Sequence, residues 1–132
     1  MIILDTHTLV WWVSNPEKLS AKSRKAIEGE LKKKKEILVS SISVWEICLL
    51  VKKERLQLTM DIESWIDKIS QLSAFKFIAV DNQIAAKSVN LPGVFHDDPA
   101  DRMIVATALE SGASLITSDK RIRKYSPVRS IW

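Results

Sequence analysis

Ile2-Ile3-Leu4-Asp5 stands at the start of the chain as an unbroken apolar run that ends in a carboxylate. A run without polar alternation is typical of a strand that is buried on both faces. Similar runs recur at residues 37–39, 77–80 and 114–116, and residues 129–131 predict a last short strand. Segments of helical period separate these runs, so the sequence predicts an α/β protein with a parallel sheet covered by helices on both faces.

The helical segments are longer than the apolar runs. They lie at about residues 6–13, 20–34, 42–53, 61–72, 82–89 and 99–111, with a short helix near residues 120–124. No repeat and no Pro/Gly/Ser-rich linker divides the chain. With 132 residues, 46% of them hydrophobic, we expect one domain that covers residues 1–132.

Composition argues against several classes of protein. The three glycines form neither a GxGxxG nor a GxxxxGK[ST] motif, so dinucleotide-binding and P-loop chemistry lose their usual support. The single cysteine, Cys48, excludes an internal disulfide, and the N-terminus does not resemble a secretory signal. There is also no apolar stretch of about 18 residues. We therefore expect a cytoplasmic protein that makes no membrane contact.

The charge balance is mildly basic. The chain has 20 Lys and Arg residues against 16 Asp and Glu residues, a net charge of +4. If four of the acids gather in one pocket, the rest of the surface becomes strongly basic. That distribution suits a protein that holds cations and polyanions together.

Carboxylates follow the predicted strands. Asp5 ends the first strand, Glu46 lies shortly after the second, and Asp119 follows the fourth. In open α/β sheets, ligands bind beyond the carboxyl ends of the strands, near the point where strand order reverses. Each acid also has a plain structural interpretation, because Asp5 and Asp119 suit helix N-caps and Ser43-x-x-Glu46 matches a capping box.

Residues 96–108, His-Asp-Asp-Pro-Ala-Asp-Arg-Met-Ile-Val-Ala-Thr-Ala, are the segment richest in acids. Proline is favoured at the first helical position, so Pro99 makes Asp98 the predicted N-cap and Asp101 the third helical residue. We interpret Asp98 as a cap and Asp101 as a functional carboxylate that faces the crevice. His96 remains open as a ligand, a base or a plain loop residue.

Four acids converge on one sheet edge in this prediction: Asp5, Glu46, Asp101 and Asp119. Uncompensated carboxylates in one place repel each other strongly, and hard divalent cations with oxygen ligands remove that cost. Such ions also activate water and stabilise displacement at phosphorus. The sequence therefore predicts a metal pocket suited to hydrolysis.

These segments together resemble the PIN-domain family, in its subgroup of VapC-type ribonuclease toxins from prokaryotic toxin–antitoxin pairs. The resemblance covers the chain and is most specific in the HxDPxDR pattern of residues 96–102. It implies a PIN-like three-layer α/β/α sandwich around a central, mostly parallel sheet of four to five strands. It also implies an endoribonuclease that depends on Mg²⁺ or Mn²⁺.

The resemblance further implies roles for individual residues. Asp5 and Asp101 would be the principal metal ligands, Glu46 and Asp119 would complete the catalytic pocket, and Thr117 and Asp98 would support it. The residues expected to contact RNA are Arg102, Lys120, Arg121 and Arg123.

Partners follow from the same resemblance. A cognate antitoxin would insert a basic segment near the acidic pocket, and a homodimer is expected. Trp11, Trp12, Trp45 and Trp65 are expected to pack first, with one of the adjacent pair Trp11 and Trp12 free for a dimer or antitoxin contact.

Three other functions remain open. A binding module could keep the fold without catalysis, and a PIN nuclease could act outside toxin–antitoxin biology. Phosphoaspartyl chemistry would place its reactive aspartate at Asp81, but the paired acids that this chemistry needs after the first strand are missing, and Asp81 is equally a helix N-cap.

Overall fold

The computed structural model describes all 132 residues. Its strands are β1 (Ile2–Leu4), β2 (Ile37–Ser40), β3 (Phe75–Ile78), β4 (Ser114–Ile116) and β5 (Ser130–Ile131). Its helices are α1 (Thr6–Ser14), α2 (Ala21–Lys32), α3 (Ser41–Lys52), α4 (Ile62–Ser70), α5 (Asn82–Val89), α6 (Pro99–Ser111) and α7 (Lys120–Arg123), with a 3-10 turn at Pro16–Lys18. The predicted alternation of strands and helices is confirmed.

The five strands form one sheet in the order β3-β2-β1-β4-β5. Every neighbouring pair is parallel, so the expected mostly parallel sheet is parallel throughout. The chain builds outward from β1 in one direction, to β2 and β3, and then returns to add β4 and β5 on the other side. The reversal of strand order therefore lies between β1 and β4, where a ligand crevice is expected.

Helices cover both faces of the sheet. Ile2 and Leu4 of β1 belong to a core cluster that includes Leu9 of α1. Ile3, between them, belongs to a second cluster that includes Ile104 of α6. Because successive strand residues point to opposite faces, these two clusters define the three-layer sandwich.

The third strand lies two residues earlier than the apolar run at 77–80 predicts. It spans Phe75–Ile78 at one edge of the sheet, and Lys76 within it is exposed. A lysine is tolerated on an edge strand, where one side has no neighbouring strand. This lysine interrupts the apolar pattern by which the other strands are recognised.

The start of helix α3 differs from the one that the sequence suggested. Helix α3 begins at Ser41 because the Ser40 hydroxyl accepts a hydrogen bond from the Ile42 amide. The capping box expected for Ser43 and Glu46 is therefore wrong. Ser43 lies inside the first turn, where its hydroxyl accepts a hydrogen bond from the Thr6 hydroxyl at 3.0 Å. Glu46 is thereby free of any capping role.

None of the helices has the length and apolar composition that a membrane span requires.

Candidate active site

A cavity of about 390 Å³ lies beyond the carboxyl ends of β1 and β4, at the reversal of strand order. We call it the carboxylate pocket. Its lining residues are Asp5, Thr6, His7, Trp11, Glu46, Asp98, Asp101, Ser118, Asp119 and Arg121. The four acids predicted to converge therefore share one cavity, and Asp98 joins them.

Three of these aspartates are also helix N-caps. Asp5 accepts the Thr8 amide at 2.9 Å, Asp98 accepts the Asp101 amide at 2.9 Å, and Asp119 accepts the amide of Arg121 at 2.8 Å. The cap predicted for Asp98 is confirmed. Capping and pocket lining are compatible here because the amide bonds place each carboxylate at a strand or loop end that faces the crevice.

Asp5 is the most buried of the pocket acids, with 7% of its surface exposed. Burial raises the pKa of its carboxyl group, against hydrogen bonds from Thr117 and the Thr8 amide that lower it. The Thr117 hydroxyl donates to the Asp5 Oδ2 and also accepts the Asp119 amide at 3.0 Å. Thr117 therefore links the ends of β1 and β4, in agreement with the supporting position expected for it.

Glu46 reaches the pocket from α3. Burial raises the pKa of its carboxyl group, and the nearby Asp98 and Asp5 raise it further, while a hydrogen bond from Thr6 lowers it. Thr6 also joins α1 to α3 through its bond to Ser43. This bond holds α3, the helix that carries Glu46, beside the helix that follows β1.

Asp101 has a pKa raised from 3.8 to about 7. Burial is the largest cause, followed by repulsion from Asp98, Asp119 and Glu46, while Arg121 acts in the opposite direction. The repulsion from these carboxylates therefore exceeds the attraction of Asp101 to the guanidinium of Arg121.

Two basic side chains approach Asp101. The Nη2 atom of Arg121 lies 3.5 Å from the Oδ2 atom of Asp101 and 3.3 Å from that of Asp119. His96 Nε2 lies 3.2 Å from the same Asp101 oxygen, although the geometry does not make a hydrogen bond. Hydrogen bonds from Arg121 and its amide lower the pKa of Asp119, although burial alone would raise it.

The donor set of the pocket fits a hard divalent cation. All of its acidic donors are carboxylate oxygens, the ligands that Mg²⁺ prefers, and burial raises the pKa values of three of these carboxyl groups, those of Asp5, Glu46 and Asp101. The side chains as they stand do not form a closely spaced cluster of three ligands. Arg121 instead bridges Asp101 and Asp119.

Arg102 has a different role from the RNA contact expected of it. Its guanidinium donates to the backbone carbonyls of Ser88, Val89, Phe95 and His96 at 2.7–3.1 Å. These bonds tie α6 to the end of α5 and to the loop that precedes Asp98. Because its donors are satisfied inside the protein, we assign Arg102 to holding this loop.

The other basic candidates lie on the surface around the pocket. Arg121 is on the pocket rim, whereas Lys120 and Arg123 line a neighbouring cleft. Asp81 caps α5 through the Ile84 amide and does not line the pocket. The aspartate that the phosphoaspartyl alternative would use therefore lies outside the pocket.

Sequence reasoning missed several pocket residues. Thr6, His7 and Ser118 follow directly after strand ends, and that position was the signal that could have found them. Packing is confirmed for Trp65, which is 2% exposed, but is wrong for Trp45, which is 54% exposed. Trp11 also lines the pocket, a position that spacing on a helix does not reveal.

A family model described as PIN domain matches residues 2–126. Ribonuclease VapC22 from Mycobacterium tuberculosis is 35% identical over 130 residues, which cover 98% of this chain and 95% of the relative.

Two solved structures have a similar fold. The crystal structure of VapBC2 from Rickettsia felis, bound to a promoter DNA fragment, superposes with a TM-score of 0.71 at 20% identity, covering 98% of this chain and 97% of that one. The crystal structure of FitAcB from Neisseria gonorrhoeae superposes with a TM-score of 0.64 at 20% identity, covering 98% of this chain and 96% of that one. The family match and the relationship to VapC22 confirm the family resemblance that the sequence indicated, and the chain belongs to the PIN-domain family.

Proposed function

We propose that this protein is a metal-dependent endoribonuclease and the toxin of a toxin–antitoxin pair. The observation that carries the proposal is the convergence of Asp5, Glu46, Asp101 and Asp119 in one cavity at the strand-order reversal. The 35% identity to Ribonuclease VapC22 supports RNA as the substrate class.

In this proposal Asp5 and Asp101 are the principal ligands of Mg²⁺ or Mn²⁺, and Glu46 and Asp119 complete the pocket. A bound divalent cation would supply an activated water and charge stabilisation at the phosphate. Thr117 fixes the orientation of the Asp5 carboxylate through its hydrogen bond. The Asp98 cap fixes the start of α6, and thereby the position of Asp101.

The basic residues around the pocket would bind the RNA backbone. Arg121 is exposed and reaches the carboxylates, so its guanidinium lies where a phosphate would approach. Lys120 and Arg123 are exposed on the same short helix, α7. We include all three as phosphate contacts.

The decisive experiment is cleavage of total RNA by the wild type and by Asp101→Asn, with Mg²⁺ and with EDTA, followed by mapping of the cut ends. We expect cleavage by the wild type only, dependent on Mg²⁺, with 5′-phosphate ends. Hydrolysis by an activated water does not use the RNA 2′-hydroxyl as nucleophile. Products with 2′,3′-cyclic phosphate, or full activity in EDTA, would contradict the mechanism.

The proposed partners are a cognate antitoxin and a second copy of this chain. A solved structure of similar fold from Klebsiella pneumoniae is described as a toxin–antitoxin complex. An arginine from an antitoxin would pair with the pocket carboxylates, because a guanidinium fork matches carboxylate geometry. We further propose that the chain is one PIN domain over residues 1–132 that acts in the cytoplasm, where RNA is present and Cys48 stays reduced.

Two measurements test the partners. Light scattering at micromolar concentration is expected to give the mass of a dimer, and a stable monomer would refute the homodimer. The saturated complex with the product of the neighbouring gene is expected to leave RNA intact. Undiminished cleavage in that complex would refute the antitoxin.

A further inference from the structure

We propose that a single-stranded segment of the RNA runs from the carboxylate pocket over Trp11 and Trp132 into a second, basic cleft. This inference rests on the proposed function for the identity of the strand. It adds a path along which the strand is held, from Trp11 at the pocket to Trp132 and the cations of the basic cleft.

The basic cleft lies beside the short helix α7 and has a volume of about 480 Å³. Its lining residues are Lys22, Lys120, Arg123, Lys124, Ser130 and Trp132. The cleft contains no acidic side chain, and all four of its cations are exposed. None of them takes part in an ion pair within the protein. Four unpaired charges in one cleft favour an anionic ligand.

Two tryptophans connect this cleft with the carboxylate pocket. Trp11 lines the carboxylate pocket and Trp132 lines the basic cleft. Their ring centroids are 5.8 Å apart with planes inclined at 52°, and both side chains are partly exposed. Lys18 lies over the Trp11 ring with its Nζ atom 6.0 Å from the centroid, so it adds positive charge and covers part of one face of Trp11. The two cavities are therefore joined by an aromatic surface flanked by positive charge.

This combination fits a single strand better than a duplex. Aromatic faces stack on unpaired bases, while a basic groove follows the phosphates. In a duplex the base faces are covered by their neighbours, so the two tryptophans would gain no stacking partner. The carboxylates of the pocket repel phosphates, so cations outside the pocket are needed to hold a polyanion near them.

An acidic protein segment is a weaker fit. Its carboxylates would match the four cations, but they would leave the Trp11 and Trp132 faces without a planar partner. A strand of alternating phosphates and bases matches both features at once.

The test is the affinity of a fluorescein-labelled single-stranded RNA of about 12 nucleotides, a length within the usual span of such sites. Binding is measured by fluorescence anisotropy in EDTA, so that cleavage does not enter the readout. The double variant Lys22→Ala with Arg123→Ala is expected to bind about tenfold more weakly. For this variant, the slope of log affinity against log salt concentration should become shallower by about 1.4, because two phosphate contacts are lost.

The aromatic step is tested separately. Trp132→Ala is expected to lose about fivefold or more in affinity, the value of one stacked base. Trp132 also packs against the core, so thermal unfolding must confirm that the variant is folded. Trp132→Phe keeps an aromatic face and is expected to retain most of the affinity.

The matched control removes the same charge at the opposite edge of the sheet. Lys34 and Lys35 lie beside Met1, at the amino ends of the strands. Lys34→Ala with Lys35→Ala is expected to bind RNA as the wild type does. The proposal is overturned if this control loses as much affinity as the cleft variant, or if the wild type binds a duplex of the same length equally well. It is also overturned if the cleft variant loses antitoxin binding while its RNA binding is unchanged.

The path and the proposed function fail in different ways. If the cleft variants keep the affinity of a wild type that cleaves RNA, the path is refuted and the nuclease stands. If the wild type binds through the cleft but does not cleave RNA with Mg²⁺, the nuclease is refuted and the path stands.

Discussion

At the scale of single residues, Asp101 couples the chemistry of the pocket to the stability of the protein. Its pKa of about 7 means that the folded protein holds a proton that the unfolded chain has released above about pH 4. The folded state therefore binds more protons than the unfolded state between these two values. Without metal, the free energy of unfolding falls as the pH rises through this window, and this loss of stability is complete above about pH 7.

Asp101→Asn is expected to stabilise the metal-free protein at about pH 8 and to flatten the decline in stability from about pH 4 to pH 7. Removing the buried charge should gain about 1 kcal/mol after allowance for solvent screening and the lost contact with Arg121. Urea unfolding in EDTA at several pH values measures this. Asp81→Asn is the control, because asparagine keeps that helix cap and position 81 lies outside the carboxylate pocket. A variant of Asp101 that is less stable at pH 8 would contradict the charge argument.

Thr117 offers a test of how Asp5 is positioned. Thr117→Val keeps the shape of this buried side chain but removes the hydroxyl that bonds both Asp5 and the Asp119 amide. We expect a loss of about 1–3 kcal/mol in the free energy of unfolding, because a buried carboxylate oxygen loses its donor. RNA cleavage should fall as well. Thr117→Ser keeps the hydroxyl and is expected to match the wild type in stability and in RNA cleavage. A serine variant as impaired as the valine variant would contradict the role of the hydrogen bond.

Local sequence rules predicted some residues well and others badly. Pro99 was enough to locate the Asp98 cap, because the preference of proline for the first helical turn is a local property. Ser43 and Glu46 looked like a capping box until the structure showed Ser40 taking the cap. Arg102 was expected to contact RNA, and local sequence did not reveal its four carbonyl partners, which lie up to 14 positions away.

At the scale of elements, the connection between α5 and α6 has no regular structure of its own. Residues 90–98 join the two helices and carry His96 and Asp98 into the pocket region. Arg102 holds one part of this connection, and the Tyr125 hydroxyl donates to the Pro92 carbonyl in another. Side chains from α6 and from the segment after α7 therefore supply the order that backbone pairing would supply in a strand.

Arg102→Lys is expected to loosen this connection while keeping the charge. One ammonium group does not reproduce a planar fork that reaches four carbonyls, so we expect a loss of about 2–3 kcal/mol in stability. Hydrogen exchange should accelerate in residues 90–98 more than in the sheet. Arg123→Lys, at an exposed position without an ion pair, is the matched control and should unfold like the wild type. Unchanged exchange in residues 90–98 would refute the role assigned to Arg102.

The elements show where sequence patterns stop being informative. Strands β1, β2 and β4 were found because burial on both faces leaves an unbroken apolar run. The edge strand β3 was shifted because Lys76 faces solvent. The order of the strands depends on contacts between distant segments, which no local pattern records.

At the scale of the whole molecule, metal binding should stabilise the fold in a pH-dependent way. Mg²⁺ competes with protons for carboxylates whose pKa values are raised. A ligand that binds only the folded state raises its unfolding temperature. We expect Mg²⁺ to raise the thermal midpoint more at about pH 8 than at about pH 5. An Asp5→Asn and Asp101→Asn double variant should lose the effect, and equal shifts at both pH values would contradict it.

The carboxylate pocket itself was predictable from the sequence because a general rule governs it. Parallel strands deliver the residues after their carboxyl ends to one edge, whatever the order of the strands. The basic cleft and the aromatic surface were not predictable in the same way, since Trp132 meets Trp11 only when β5 is added beside β4.

The double use of Asp5, Asp98 and Asp119 as caps and pocket acids has an evolutionary consequence. At these positions glutamate would keep the charge but misplace the cap, and alanine would lose both. Asparagine keeps the cap and discards the charge, and its codons differ from those of aspartate by one nucleotide. A lineage under pressure to silence this protein therefore has a short genetic route to a folded, inert descendant, and an asparagine in place of Asp5 or Asp119 in a homologue would mark a pocket that has lost its chemistry before its architecture.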